Sequence, residues 1–224
     1  MSRRRVLVSW SSGKDSAWML RVLRRDPGVE LVGLLTTLNE SAGRVAMHGV
    51  PDALLAAQAN AVGLPLWRVP LPAPCSNAEY EKRMAAAIAR ARAERVDAIA
   101  FGDLFLADIR AYRERMMAGT GIAPLFPLFG ADTAALAREM VAAGLRATLA
   151  CVDCAKLPAR FAGRAFDAPL LAELPADVDP CGEHGEFHSF AWDGPMFARP
   201  VPIAVAGVVE RDGFAFADLR LPAA

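Results

Sequence analysis

The sequence predicts an α/β protein: a parallel sheet with helices on both faces, followed by a smaller C-terminal α+β part. Three observations carry this expectation. Strand and helix patterns alternate through the first half of the chain. From about Leu125 the alternation loosens, and Pro, Gly and Asp become frequent. The tail has two apolar runs flanking Asp212-Gly213, which is a hairpin signal. Strands alternating with helices of this length imply crossover connections, and such connections cover both faces of a sheet.

The elements follow in order. Val6 to Trp10 reads as a short buried strand and Ser16 to Arg25 as a helix. Val29 to Thr37 is a second strand. Pro51 and Asp52 open a helix that Gly63 and Pro65 close, the asymmetry expected of helix ends. Leu66 to Val69 is a third strand. Ser76 and Glu79 form a capping box before a long helix with Tyr80, Met84, Ile88 and Ala91 at helical spacing. Ala98 to Phe101 is a fourth strand, leading into Gly102-Asp103. Asp132 caps a helix to Ala143, and Thr148 to Val152 is a possible fifth strand. The hairpin spans Val201 to Val209 and Phe214 to Leu219. A boundary is placed near Phe129, giving parts 1–129 and 130–224.

Composition excludes several classes. With 224 residues, 54% of them hydrophobic, the chain can bury a large core and is not disordered. The 25 Lys+Arg balance 25 Asp+Glu, so binding along a nucleic-acid backbone is not expected. No apolar run reaches the length of a membrane span. Arg3-Arg4-Arg5 before Val6-Leu7-Val8 imitates a signal peptide, but the apolar run stops at Ser11, and Lys14 and Asp15 follow. A cytoplasmic protein is expected. An exposed apolar tail hairpin would point to a homodimer.

The chemistry concentrates in three places. The first is Ser9-Trp10-Ser11-Ser12-Gly13-Lys14-Asp15-Ser16, between the first strand and the first helix. In an open parallel sheet, ligands bind beyond the carboxyl ends of the strands. A loop of small residues there leaves N–H groups free, and the helix adds its positive end, so anions bind. Lys14 adds a full charge. The spacing is not that of a Walker A loop. The plainer reading is a strand-to-helix turn with Asp15 and Ser16 as a cap.

The second place is Gly102-Asp103-Leu104-Phe105-Leu106, continuing to Arg110 and Tyr112-Arg113-Glu114. If residues 103–116 are helical, Asp103, Arg110 and Glu114 share one face, while Phe105, Ile109, Tyr112 and Met116 share another and bury. The third is Gly182-Glu183-His184-Gly185-Glu186-Phe187-His188-Ser189, two carboxylates and two imidazoles between glycines. Its plainer reading is a polar loop with one buried His. Cys151-x-x-Cys154 with Cys181-x-x-His184, around a helix near Leu157 to Gly163, has the ligand types of a structural zinc site. Against zinc, Cys151 ends an apolar strand, where a thiol acts as a small hydrophobe. His48-Gly49-Val50-Pro51 reads as a loop before a helix, or as a cover over a ligand.

Ser11 to Ser16 resembles the SGGxDS signature of the PP-loop ATP pyrophosphatases, with Ser12 at the second Gly. Together with Gly102 to Glu114, Pro124-Leu125-Phe126-Pro127-Leu128, Gly182 to Ser189 and Asp193-Gly194-Pro195, it resembles the diphthine–ammonia ligase family over nearly the whole chain. The resemblance implies a Rossmann-like (HUP/PP-loop, adenine nucleotide alpha hydrolase-like) ATP-binding domain at 1–129 and a substrate-side subdomain at 130–224. It also implies a ligase that uses ATP and Mg²⁺ to activate a carboxylate as an acyl-adenylate. Ammonia would then form the amide, with AMP and pyrophosphate released. The carboxylate would belong to a small molecule or a protein.

By resemblance, Ser11, Ser12, Gly13, Lys14, Asp15 and Ser16 hold the pyrophosphate. Gly102 and the strand end at Leu35 would border the nucleotide. Lys14, Asp103, Glu186 and His188 are the expected catalytic set, His188 as general base and Asp103 placing Mg²⁺ or substrate. Arg110, Arg113, Glu183 and Glu186 would bind substrate. The alternatives are a PP-loop RNA-modifying enzyme and a nucleotide-binding protein without turnover.

Overall fold

The computed structural model describes residues 2–40, 43–45 and 49–222; His48 lies outside them. In chain order the elements are β1 (Arg4–Ser9), α1 (Lys14–Arg24), β2 (Val29–Asn39), β3 (Arg44–Val45), α2 (Asp52–Val62), β4 (Leu66–Leu71), α3 (Asn77–Ala93), β5 (Ala98–Ala100), α4 (Ala107–Met117), β6 (Ala123–Leu125), α5 (Thr133–Ala142), β7 (Arg146–Asp153), α6 (Ala168–Glu173), β8 (Phe187–Asp193), β9 (Ala204–Arg211) and β10 (Phe214–Arg220).

The first sheet is a parallel array in the order β4-β2-β1-β5-β6. From β1 the chain winds outward through β2 and β4, then returns to place β5 and β6 on the other side. The strand order therefore reverses between β1 and β5, and the crevice beyond their carboxyl ends is where such sheets take ligands. At Leu38 and Asn39, β4 occupies one edge of β2. Antiparallel β3 takes the other edge, which β1 vacates after Ser9.

Helices cover both faces of this sheet. Leu7, Leu35, Ile99, Trp67 and Val69 pack under Met84, Ile88 and Ala91 of α3. On the other face Val6, Val8, Leu34, Ala98 and Ala100 join α1, α2 and α5. This larger core continues without a break into the second sheet through Leu149, Phe187, Phe190 and Ala215. That sheet is antiparallel, in the order β8-β7-β10-β9. The shared core presses its edge strand β8 against the β1–α1 loop, where Ala191 N–H donates to the Ser12 carbonyl at 2.9 Å. Among the described residues no helix is long and apolar enough to cross a membrane.

Local chemistry explains the ends. Gly63 closes α2 in the left-handed region at φ 75°. Ser76 and Asp132 accept the N–H groups of Glu79 and Ala135 at the starts of α3 and α5. The capping box is half formed: the Glu79 carboxylate turns to Arg83 at 2.7 Å instead of reaching back. Asp212 and Gly213, both at positive φ, make the two-residue turn between β9 and β10. Strand β9 starts at Ala204 and not Val201, because Pro200 and Pro202 lack the N–H that a ladder requires. It is solvent-exposed along its length.

Four expectations need correction. The strand at Thr148 to Val152 is β7, a member of the second sheet and not of the parallel one. The helix near Leu157 to Gly163 is a single 3₁₀ turn at Ala159–Phe161. Phe187 to Ser189, the end of the segment whose plainer reading is a polar loop, belongs to strand β8. Asp103 is not helical: α4 starts at Ala107, and the backbone of Leu104 is bonded to Glu183 Oε1 and Gly130 N. The shared face of Asp103, Arg110 and Glu114 is therefore not formed, and of α4 only Met117 is buried.

Candidate active site

The loop after β1 is shaped by bonds at both ends. Trp10 N–H donates to Leu35 O at 2.8 Å, and Thr36 Oγ1 donates to Trp10 O at 2.7 Å. Ser12 then takes φ 71°, a left-handed conformation that costs an L-residue roughly 1–2 kcal/mol. The Ser12 carbonyl repays this in bonds, accepting from Ala191 N and from Gln58 Nε2, each at 2.9 Å. The N-cap of α1 is Gly13, with no side-chain cap. Asp15 and Ser16 therefore do not cap it, and its positive end opens onto the crevice. Ser16 Oγ donates to Gly13 O at 2.9 Å, and Lys14 N–H donates to Ser189 Oγ of β8 at 3.1 Å.

The Lys14 ammonium is 2% exposed. It donates to the Cys181 carbonyl and, at 2.9 Å, to Asp15 Oδ2, with the Phe166 and Phe187 rings around it. Burial alone would lower its pKa. The Asp15 carboxylate leads the acidic neighbours that outweigh burial, so the pKa lies above the ordinary lysine value and the charge is held at neutral pH.

Opposite the loop stand Gly102 and Asp103, beyond β5. Burial pushes the Asp103 carboxyl up, against the pull of Arg113. The two side chains lie 3.9 Å apart without a hydrogen bond. Asp103 Oδ2, Arg113 Nε and Asp15 Oδ1 are all buried without hydrogen-bond partners. Arg113 is steadied by the Phe101 ring and by Tyr80 Oη at 3.3 Å.

The third wall is the segment before β8, organised by Asp179. Its carboxylate accepts from Cys181 N at 2.9 Å, Glu183 N at 3.2 Å and Thr133 Oγ1 at 2.6 Å. This folds Glu183 inward, where its Oε1 accepts Leu104 N–H at 2.8 Å and burial raises its carboxyl pKa.

These walls enclose a cavity of about 550 Å³, within the range of small-molecule sites. Of the residues singled out in the sequence, Ser11, Lys14, Asp15 and Ser16 line it from the loop, and Leu35, Gly102, Asp103 and Arg113 from the parallel sheet side. Glu183 and His188 line it from the third segment. Four others do not. Ser12 and Gly13 are not among its lining residues. Arg110 pairs with Glu114 at 2.9 Å and lies over the Phe126 and Phe129 rings. Glu186 is 3% exposed and accepts Asp179 N–H at 2.9 Å, so it braces the segment from behind.

Sequence reasoning missed Gln58, Asp179, Ser189 and the Tyr80–Met84 wall. Gln58 left a signal, a lone amide on the stripe of α2 that otherwise buries Leu54, Leu55, Ala59 and Val62. The zinc arrangement is not assembled: among the described residues no three His, Cys, Asp or Glu side chains gather to hold a metal ion. Burial pushes the Cys151 thiol up to about 11 and the Cys181 thiol up to about 12, and Cys181 Sγ donates to Thr133 O.

His188, on β8, has its pKa pulled down to about 4 by burial first and then by the Lys14 and Lys156 charges. The unfolded chain therefore binds this proton first as pH falls. The stability His188 contributes is complete above about pH 6.5 and is lost between there and about pH 4, by up to about 3 kcal/mol. Asp103 and Glu183, raised by burial, act in the opposite sense, so the test is a difference. Urea unfolding of wild type against His188→Gln should give a stability gap that changes by about 3 kcal/mol over this window. Parallel pH profiles would rule it out.

Residues 4–124 match the diphthamide synthase N-terminal domain, and residues 132–213 match the diphthamide synthase C-terminal domain. A Homo sapiens protein named diphthine–ammonia ligase is 31% identical over 55% of this chain and 48% of its own length. One from Danio rerio with the same name is 34% identical over 54% of this chain and 50% of its own. In these two matches the similarity spans about half the length of the relative. One from Bos taurus is 28% identical over 95% of this chain and 88% of its own.

Proposed function

The chain belongs to the diphthamide synthase family, and from that premise we propose that it is an ATP-dependent amide-forming ligase. It activates a carboxylate as an acyl-adenylate, amidates it with ammonia and releases AMP and pyrophosphate. One observation carries the reading: an uncapped helix N-terminus with a buried lysine faces a carboxylate wall across a single cavity at the switch point of a parallel sheet.

A carboxylate is a poor electrophile. Transfer of AMP to one of its oxygens makes that oxygen part of a good leaving group, while pyrophosphate departs with increased negative charge. Donors fixed in advance where that charge develops supply the acceleration. In this reading they are the Asp15 and Ser16 N–H groups in the first turn of α1 and the Lys14 ammonium, with the Ser11 hydroxyl beside them. Arg113, whose Nε makes no hydrogen bond, receives the substrate carboxylate or a phosphate oxygen.

Mg²⁺ prefers oxygen ligands and is commonly held by one or two carboxylates plus substrate phosphates. Asp15 Oδ1 and Asp103 Oδ2, both buried without hydrogen-bond partners, fit that donor set. When bound, Mg²⁺ would neutralise phosphate charge during adenylation. For the amidation half, an imidazole with a pKa of about 4 is a weak partner for ammonium. We assign the role instead to Glu183, whose carboxyl lines the cavity and would receive the ammonium and its proton, while neutral His188 shapes the wall beside it.

The test is product analysis with labelled ATP, Mg²⁺ and ammonium, with and without a small-molecule cell extract. AMP and pyrophosphate that depend on extract support the ligase. ADP as product would refute the mechanism. ATP binding without turnover under any condition would move the assignment to a binding role.

A further inference from the structure

Gln58 has no assigned part in the reaction, yet both ends of its amide are committed to the phosphate loop. The side chain is fully buried on α2. Its Oε1 accepts Trp10 Nε1–H at 3.0 Å, and its Nε2 donates to Ser12 O at 2.9 Å and to the carbonyl of Ala191 on β8. One side chain thus grips the loop at its entry and at its strained residue, and ties both to the second sheet.

The consequence follows from the planarity of the peptide bond. In a trans peptide the carbonyl and the next N–H point in opposite directions. With the Ser12 carbonyl held by Gln58 and β8, the Gly13 N–H is turned the other way, to Ser11 Oγ at 3.3 Å, and Ser11 lines the cavity. A left-handed serine keeps such a conformation only when its surroundings determine it. Without the amide, Ala191 N–H alone holds the Ser12 carbonyl, and the Ser12–Gly13 peptide turns more readily to present a carbonyl oxygen toward the cavity.

We propose that Gln58 is a positioning residue for phosphate binding, fixing the Ser12–Gly13 peptide so that the loop faces its ligand with N–H groups and not with carbonyls. The proposal rests on reading the cavity as a nucleotide site, and the experiment separates the two. Equilibrium binding of ATP and of adenosine would be measured on the full chain, for wild type and Gln58→Met, which keeps the side-chain length and removes all three bonds. ATP should bind about tenfold more weakly and adenosine within about twofold of wild type, because only the phosphates meet the loop. Should the methionine variant not fold, Gln58→Glu keeps the acceptor for Trp10 and at most one of the two bonds to the carbonyls, and carries the same comparison. Equal weakening of both ligands, or unchanged ATP binding, overturns the proposal while the nucleotide reading stands. A wild-type protein that binds no ATP overturns both.

Discussion

Lys14→Met is expected to lower AMP formation by about a thousandfold, the upper range for removing one preorganised charge donor. The Lys14 ammonium is the one full positive charge on the β1–α1 loop, and it is buried between that loop and the Cys181 carbonyl. Its pKa lies above the usual lysine value, so the charge is constant across physiological pH and no pH adjustment would restore a variant lacking it. Methionine preserves the packing against Phe166 and Phe187 but leaves Asp15 and the Cys181 carbonyl without their donor. That adds a stability cost of about 1–3 kcal/mol. Circular dichroism and a thermal melt of the same sample separate the two effects, because a folded variant that binds adenosine and makes no AMP has lost chemistry and not structure. Activity within tenfold of wild type would remove Lys14 from the mechanism.

How much of this site was legible depended on sequence distance. Ser11 to Ser16 could be read because strand, small-residue loop and helix are contiguous, and the punctuation at Pro51, Gly63, Ser76 and Asp132 is equally local. What completes the site is remote: Lys14 N–H finds Ser189 from 175 residues away, and Gln58 reaches Ala191 across 133. No local pattern encodes which strand edge will lie against the loop. The spacing of Asp103, Arg110 and Glu114 would put them on one face if the stretch were helical. Tertiary bonds from Leu104 to Glu183 and Gly130 hold that stretch out of the helix, and a spacing argument cannot see them. Glu183 and Glu186 look equivalent in sequence, three residues apart in one acidic run. Asp179 turns the first into the cavity by binding its N–H, and donates its own N–H to the second behind it.

That same segment makes Gly182 the position where a single methyl should do most damage to the fold. Gly182→Ala is expected to destabilise by about 4 kcal/mol, from a left-handed backbone and a steric clash together. At φ 70°, a Cβ there would sit 2.7 Å from the Phe187 carbonyl oxygen and 3.1 Å from its ring carbons. Neither neighbour can retreat cheaply. Phe187 opens β8, is paired with Val152 of β7, and is 2% exposed in the core. Relief must come from the segment itself, which would draw the Cys181 carbonyl off Lys14 and Glu183 off Leu104 N–H, so ATP turnover should fall along with stability. Gly63→Ala provides the control: at φ 75° it meets the same backbone cost, but nothing lies within 4 Å of its Cβ. It should lose only about 1–2 kcal/mol and keep its turnover. Urea unfolding and AMP formation on both variants decide the matter, since equal losses would mean that the close approach to Phe187 carries no energy. A larger loss at Gly182, with turnover falling beside it, would mean that the contact seating this segment on β8 also sets the wall of the active site.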